Sequence, residues 1–67
     1  MNADNVVVQD LRVAQFDRTF QRISHREHWL TLYLQLRDNG DSHSEAVSTI
    51  QGERQMAAQL MAVHNKS

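Results

Sequence analysis

The residues best suited to chemistry are four histidines, at positions 25, 28, 43 and 64. Two of them sit inside a repeated Ser-His-x-Glu string, Ser24-His25-Arg26-Glu27 and Ser42-His43-Ser44-Glu45. An imidazole beside a hydroxyl and a carboxylate can serve as a base for a nucleophile or as part of a metal site. His25 and His28 are three apart, so on a helix their rings lie close together with Glu27 nearby. Zinc or another transition metal takes such donors. The pattern stops short of both chemistries. No HExxH string and no second spaced pair completes a donor set. With no cysteine in the chain, disulfides and thiolate zinc sites are excluded. No strand-turn-helix elbow presents a serine, and Gly40 and Gly52 stand alone, so there is no glycine-rich phosphate loop. The reading with the fewest assumptions makes the two strings helix starts. Serine followed three residues later by glutamate is a capping box, in which each side chain bonds the other residue's backbone N–H. The chain therefore reads as a non-enzyme, with no cofactor and no metal.

The elements that would position these residues are helical. The chain has 67 residues, no proline and two glycines, and it is rich in glutamine, leucine, alanine and arginine. The patterning predicts a single all-α domain over residues 1–67, with two or three helices at about 5–23, 25–38 and 43–64. The first is capped by Asp4 or Asn5 and carries an apolar face of Val6, Val13, Phe16, Phe20 and Ile23. The second opens at the Ser24–Glu27 box. The alternative is one continuous rod from about Val6 to Asp38. Trp29, Leu30, Leu32, Tyr33, Leu34 and Leu36 cover more of the second helix than one packing face needs. Asn39-Gly40 closes it. The third opens at the Ser42–Glu45 box and aligns Ala46, Val47, Ile50, Ala57, Leu60, Met61 and His64. Gly52 inside it marks a kink, a break or a close helix crossing.

A chain this short is marginal alone, because a 60-residue domain buries only about 60% of its unfolded surface. The excess of apolar surface on the second helix predicts a helical hairpin or small bundle completed by homodimerisation. Trp29, Leu30, Tyr33, Leu34 and the Phe16–Phe20 stripe would lie near the dimer core. No apolar run approaches the roughly 20 residues that span a bilayer. The opening "MNADNVVVQD" lacks the basic region of a signal peptide. A cytoplasmic protein without membrane contact is expected.

Charge is unevenly spread. Residues 11–37 carry Arg12, Arg18, Arg22, Arg26 and Arg37 against Asp17 and Glu27, whereas both flanks are acidic on balance. Arg18, Arg22 and Arg26 recur every four residues and form one stripe on a continuous helix. This stripe is either a solvated face or a docking surface for an acidic partner, with Trp29 and Tyr33 as aromatic anchors if they are exposed.

"LRDNGDSHSEAVSTI", Leu36 to Ile50, resembles the turn and supporting helix of helix-turn-helix domains through Gly40, Ser42, Glu45, Ala46, Val47 and Ile50. That resemblance implies a tight turn next and then a recognition helix that reads DNA, for which Arg54 and Gln55 are the available side chains. The segment also resembles, in style, the short helical accessory proteins of temperate-phage early regions, which would place the chain in a host cytoplasm. The leading expectation is a small regulator or adaptor that pairs with itself and binds an unidentified protein. A helix-turn-helix transcriptional regulator that binds nucleic acid is the alternative. Stoichiometric zinc or a chelator should leave the thermal midpoint unchanged, because a ligand that binds only the folded chain raises it by mass action. An upward shift that disappears in His25→Ala or His28→Ala would reveal a metal site.

Overall fold

The computed structural model describes the backbone of residues 3–66 and the side chains of residues 7–62. It is all-helical among these residues, with α1 at Ala3–Thr19, α2 at Arg26–Asp38 and α3 at His43–Lys66. The helix starts one residue ahead of the expected Asp4/Asn5 cap, and the side chains of Asp4, Asn5, Val6, His64 and Lys66 lie outside the described residues.

The core lies where the end of α1, the middle of α2 and the first turns of α3 meet. Phe16, Phe20, Tyr33, Ala46 and Ile50 are buried there, with Ile23, Trp29, Leu30, Leu32, Leu34, Leu36 and Val47 packed around them. The ring of Phe16 stands 5.0 Å from that of Phe20 and 5.4 Å from that of Tyr33, both tilted. Tilted pairs avoid stacking like quadrupole faces on one another.

The α2–α3 turn follows its local sequence. Gly40 adopts φ 108°, a conformation open to a residue without a Cβ. The Gly40 N–H donates to the Arg37 carbonyl at 3.1 Å, and the Asp41 N–H to the Leu36 carbonyl at 3.0 Å. These two bonds make a Schellman closure. The capping box then forms as expected. The Ser42 N–H donates to Glu45 Oε1 at 2.8 Å, and the Glu45 N–H to Ser42 Oγ at 3.2 Å.

The α1–α2 connection departs from expectation. α1 stops at Thr19, and neither the extension to residue 23 nor the continuous rod exists. Between the helices Arg22 has φ 58° and His25 has φ 57°, both left-handed. The cap of α2 is His25, without a side-chain hydrogen bond, and not Ser24. The reason is register. With Arg26 as the first helical residue, Glu27 is the second and not the third, so its carboxylate cannot close a box on Ser24.

α3 also differs from expectation. It runs unbroken through Gly52, where an added Cβ would meet nothing within 4 Å. Gly52 thus marks neither a break nor a close crossing among the described residues. The expected apolar face is split. Ala46, Val47 and Ile50 pack on the body, whereas every described residue from Gln51 to Ala62 is exposed, Ala57, Leu60 and Met61 included. The lengths explain this: α3 has 24 residues and α2 only 13, about 36 Å against 20 Å at 1.5 Å per residue. The molecule is accordingly long, 54 × 21 × 17 Å. Phe16, Phe20 and Tyr33, expected near a dimer core, are covered by their own chain.

Gly52→Ala should therefore raise stability by about 0.5–1 kcal/mol, the helix-propensity difference at an uncrowded site. Urea titration of both proteins checks this. A loss of stability would mean that something packs against Gly52.

Candidate interaction surface

The polar side chains gather first around Tyr33. The whole residue is buried, with its hydroxyl at the junction of the three helices. It lies 2.8 Å from His43 Nδ1, and His43 Nε2 lies 3.2 Å from Thr19 Oγ1 at the end of α1. Arg37 Nη1 donates to the same hydroxyl at 2.7 Å and to Gln15 Oε1 at 2.8 Å. The Arg37 guanidinium sits over the Tyr33 ring, 5.7 Å from its centroid. This network accounts for His43 as a structural residue. The i, i+4 spacing of Tyr33 and Arg37 is readable from the sequence. The contacts to Gln15, Thr19 and His43 join residues far apart in the chain and leave no local signal.

Among the described residues, two ion pairs tie α1 to α2. Arg12 bonds Asp38 at 2.5 Å. Arg26 grips Asp17 with two parallel bonds, Nε to Oδ1 and Nη2 to Oδ2, each 2.7 Å. This bidentate fork holds the Asp17 carboxyl below its ordinary pKa, chiefly through the hydrogen bond from Arg26. Glu45 is also lowered, first by the Ser42 backbone N–H and then by the Ser42 hydroxyl.

The expected arginine stripe does not exist as one row, because the helix ends between Arg18 and Arg22. Arg18 lies in the last turn of α1 and Arg22 in the connection, both exposed. Among the described residues neither forms an ion pair, whereas Arg26 is engaged by Asp17. Trp29 is half-buried, with the His28 ring edge-on at 4.6 Å. Tyr33, named as a possible surface anchor, is at 0% exposure and belongs to the core. Arg54 and Gln55 are exposed on the free part of α3. The tight turn and separate recognition helix implied by the helix-turn-helix resemblance are absent from the described residues, because α3 is continuous. His25 and His28 are both exposed, and no group of three or more His, Asp or Glu that could hold a metal occurs among the described residues.

An open notch of about 520 Å³ lies between α2 and α3, lined by Glu27, His28, Trp29, Thr31, Leu32, Gln35 and Glu53. Trp29 and Leu32 are the apolar part of its lining, and Glu27 and Glu53 contribute two carboxylates. Exposed large apolar residues fall in two places, Val7, Val8 and Leu11 on α1 and Met56, Leu60 and Met61 on α3. No described helix is long and apolar enough to cross a membrane.

The class this geometry defines is a small three-helix protein with a polar three-way junction, an arginine corner and an apolar overhang. No family model matches the chain, and no curated protein or solved structure matches it.

Asp17 and Glu45 both have native values below their unfolded ones. The stability they contribute is complete above the ordinary carboxylate range and is lost as pH falls through the lowered native values. The Asp17→Asn, Glu45→Gln double variant should lose less of its thermal midpoint than the parent between pH 5 and about pH 2. Circular-dichroism melts across that range check this, and identical acid slopes would show that neither carboxylate is held in solution.

Proposed function

We propose that the chain is a small, non-enzymatic adaptor or regulator that assembles with itself and binds an acidic surface of a protein partner through the corner formed by Arg18 and Arg22. The observation that carries this reading is the state of the arginines. Three of the five in the basic middle are engaged: Arg12 by Asp38, Arg26 by Asp17, and Arg37 by Gln15 and Tyr33. Arg18 and Arg22 are exposed and without an ion pair among the described residues. The backbone supports the same reading. Arg22 and His25 both hold left-handed conformations, which cost L residues roughly 1–2 kcal/mol each. Such strain concentrates at functional sites, where the surrounding structure sustains it. The guanidinium fork suits bidentate capture of carboxylates. The network around Tyr33 joins the three helices, a structural use of its polar groups.

The test is charge reversal. The Arg18→Glu, Arg22→Glu double variant should lose capture of an acidic protein from a lysate of the source cell, followed by mass spectrometry, while helicity stays as in the parent. Rim charges act on recognition and association rate more than on folding. Duplex binding provides the contrary outcome. Nanomolar, sequence-selective DNA binding that weakens steeply with salt and is lost in Arg54→Ala would place the protein among nucleic-acid readers instead.

A further inference from the structure

We infer that the free half of α3 of one copy lies in the α2–α3 notch of a second copy, so that two chains close a symmetric pair with Trp29 at each contact. The inference rests on the reading of the chain as self-assembling, and it names the surface that does so.

The first argument is that each surface is incomplete alone. Beyond Ile50, α3 buries no described residue in its own chain, and Met56, Leu60 and Met61 are 59%, 68% and 66% exposed. An isolated helix shorter than about 12–15 residues is marginal in water. Most helical stability in proteins comes from packing an apolar face, and this stretch has the face without the packing. The notch has the opposite deficit: Trp29 and Leu32, only partly buried against the core, line it and stay partly open to solvent. A foreign helix in the notch would leave the overhang bare. A second copy covers both at once.

The second argument is dimensional. Residues 51–62 extend for about 18 Å at 1.5 Å per residue, enough to cover the roughly 13 Å of α2 between Glu27 and Gln35 that lines the notch. Because overhang and notch belong to the same chain, a two-fold axis makes the contact twice. A stable pair needs about 800 Å² from each partner. That is about 15% of the 5330 Å² accessible surface, a share that one overhang and one notch can supply.

The third argument is charge. Glu27 and Glu53 rim the notch, which has no lysine or arginine in its lining. Arg54 is the only cation among residues 51–62. The overhang therefore brings a cation and apolar side chains to a site with carboxylates and an apolar floor. Methionine also suits an aromatic floor, because its thioether makes favourable contact with rings.

Trp29 is the only tryptophan, so it reports the contact directly. Light scattering should give about twice 7.8 kDa at tens of micromolar. Trp29 emission should move to shorter wavelength as concentration rises through the same range. Leu60→Glu should raise the dimer dissociation constant at least 100-fold and leave Trp29 emission independent of concentration, with α-helical circular dichroism largely kept. Leu11→Glu, on the other exposed apolar patch, should keep the dimer mass. The Arg18→Glu, Arg22→Glu double variant should keep it too, so loss of partner capture and loss of self-association read separately. The inference fails if the parent is a folded monomer throughout, if its mass keeps growing with concentration, if Leu60→Glu stays dimeric, or if Leu11→Glu alone separates the chains.

Discussion

Tyr33 meets two opposing demands, and the rest of the fold is arranged around them. Its ring fills the centre of the core, while its hydroxyl would cost free energy if buried without a partner. The structure answers with His43 and Arg37 on that one oxygen. Each of these then needs its own partner, and Thr19 and Gln15 supply them from α1. One hydroxyl thus draws a residue from every helix. It also sets the position of α3, because His43 is the first residue of that helix and must reach the middle of α2. A helix that opens there runs past its neighbour early, and Ile50 is its last buried residue among those described.

That placement divides the chain by burial. Phe16, Phe20, Tyr33, Ala46 and Ile50 are enclosed, so the core of the described residues lies wholly within that span. Each large one contributes roughly 1.5–3 kcal/mol relative to exposure. Fixing backbone costs roughly 1–2 kcal/mol per residue everywhere, including in residues 51–62, all of which stay exposed. Propensity favours helix there, since alanine, glutamine, leucine and methionine are strong formers. Propensity alone does not hold an apolar stripe in water. The overhang is where the stability of the single chain is thinnest, and a second surface has most to contribute there.

The same four-letter string, met twice, shows how much of the fold is legible in the residues alone. At Ser42 it makes a capping box because everything needed lies within a few residues: Gly40 closes α2, and Glu45 falls in the third helical position. At Ser24 the identical spacing fails. There the string is also tied to residues beyond it: Arg26 is held by Asp17 of α1, and Phe20 is buried with Ile23 packed against the core just before Ser24. The arginine row fails for the same reason, since it assumes a helix that stops at Thr19. The apolar face of α3 is a face, as its periodicity says. Whether each part of it finds a neighbour depends on the relative lengths of two helices and on where one starts, and periodicity carries neither. The junction around Tyr33 joins residues 15, 19, 33, 37 and 43. Local spacing signals only the pair within α2, since the others meet through tertiary packing.

The arginine corner is positive and the notch rim is negative, so one copy could set its corner into the notch of the next. That contact is head-to-tail, and unless its rotation closes a ring it propagates into an open filament. Two features favour closure. Arg26, the arginine nearest to Glu27 in sequence, is already committed to Asp17 in its own chain, which removes a cation from the corner's approach to a neighbouring notch. More decisively, a corner-to-notch contact leaves Met56, Leu60 and Met61 in water in every copy, whereas the overhang-to-notch contact covers them in both. Apolar burial is the dominant driving force of association, and screened surface charge adds little. Of the two arrangements, the closed pair proposed above therefore has the stronger drive to form.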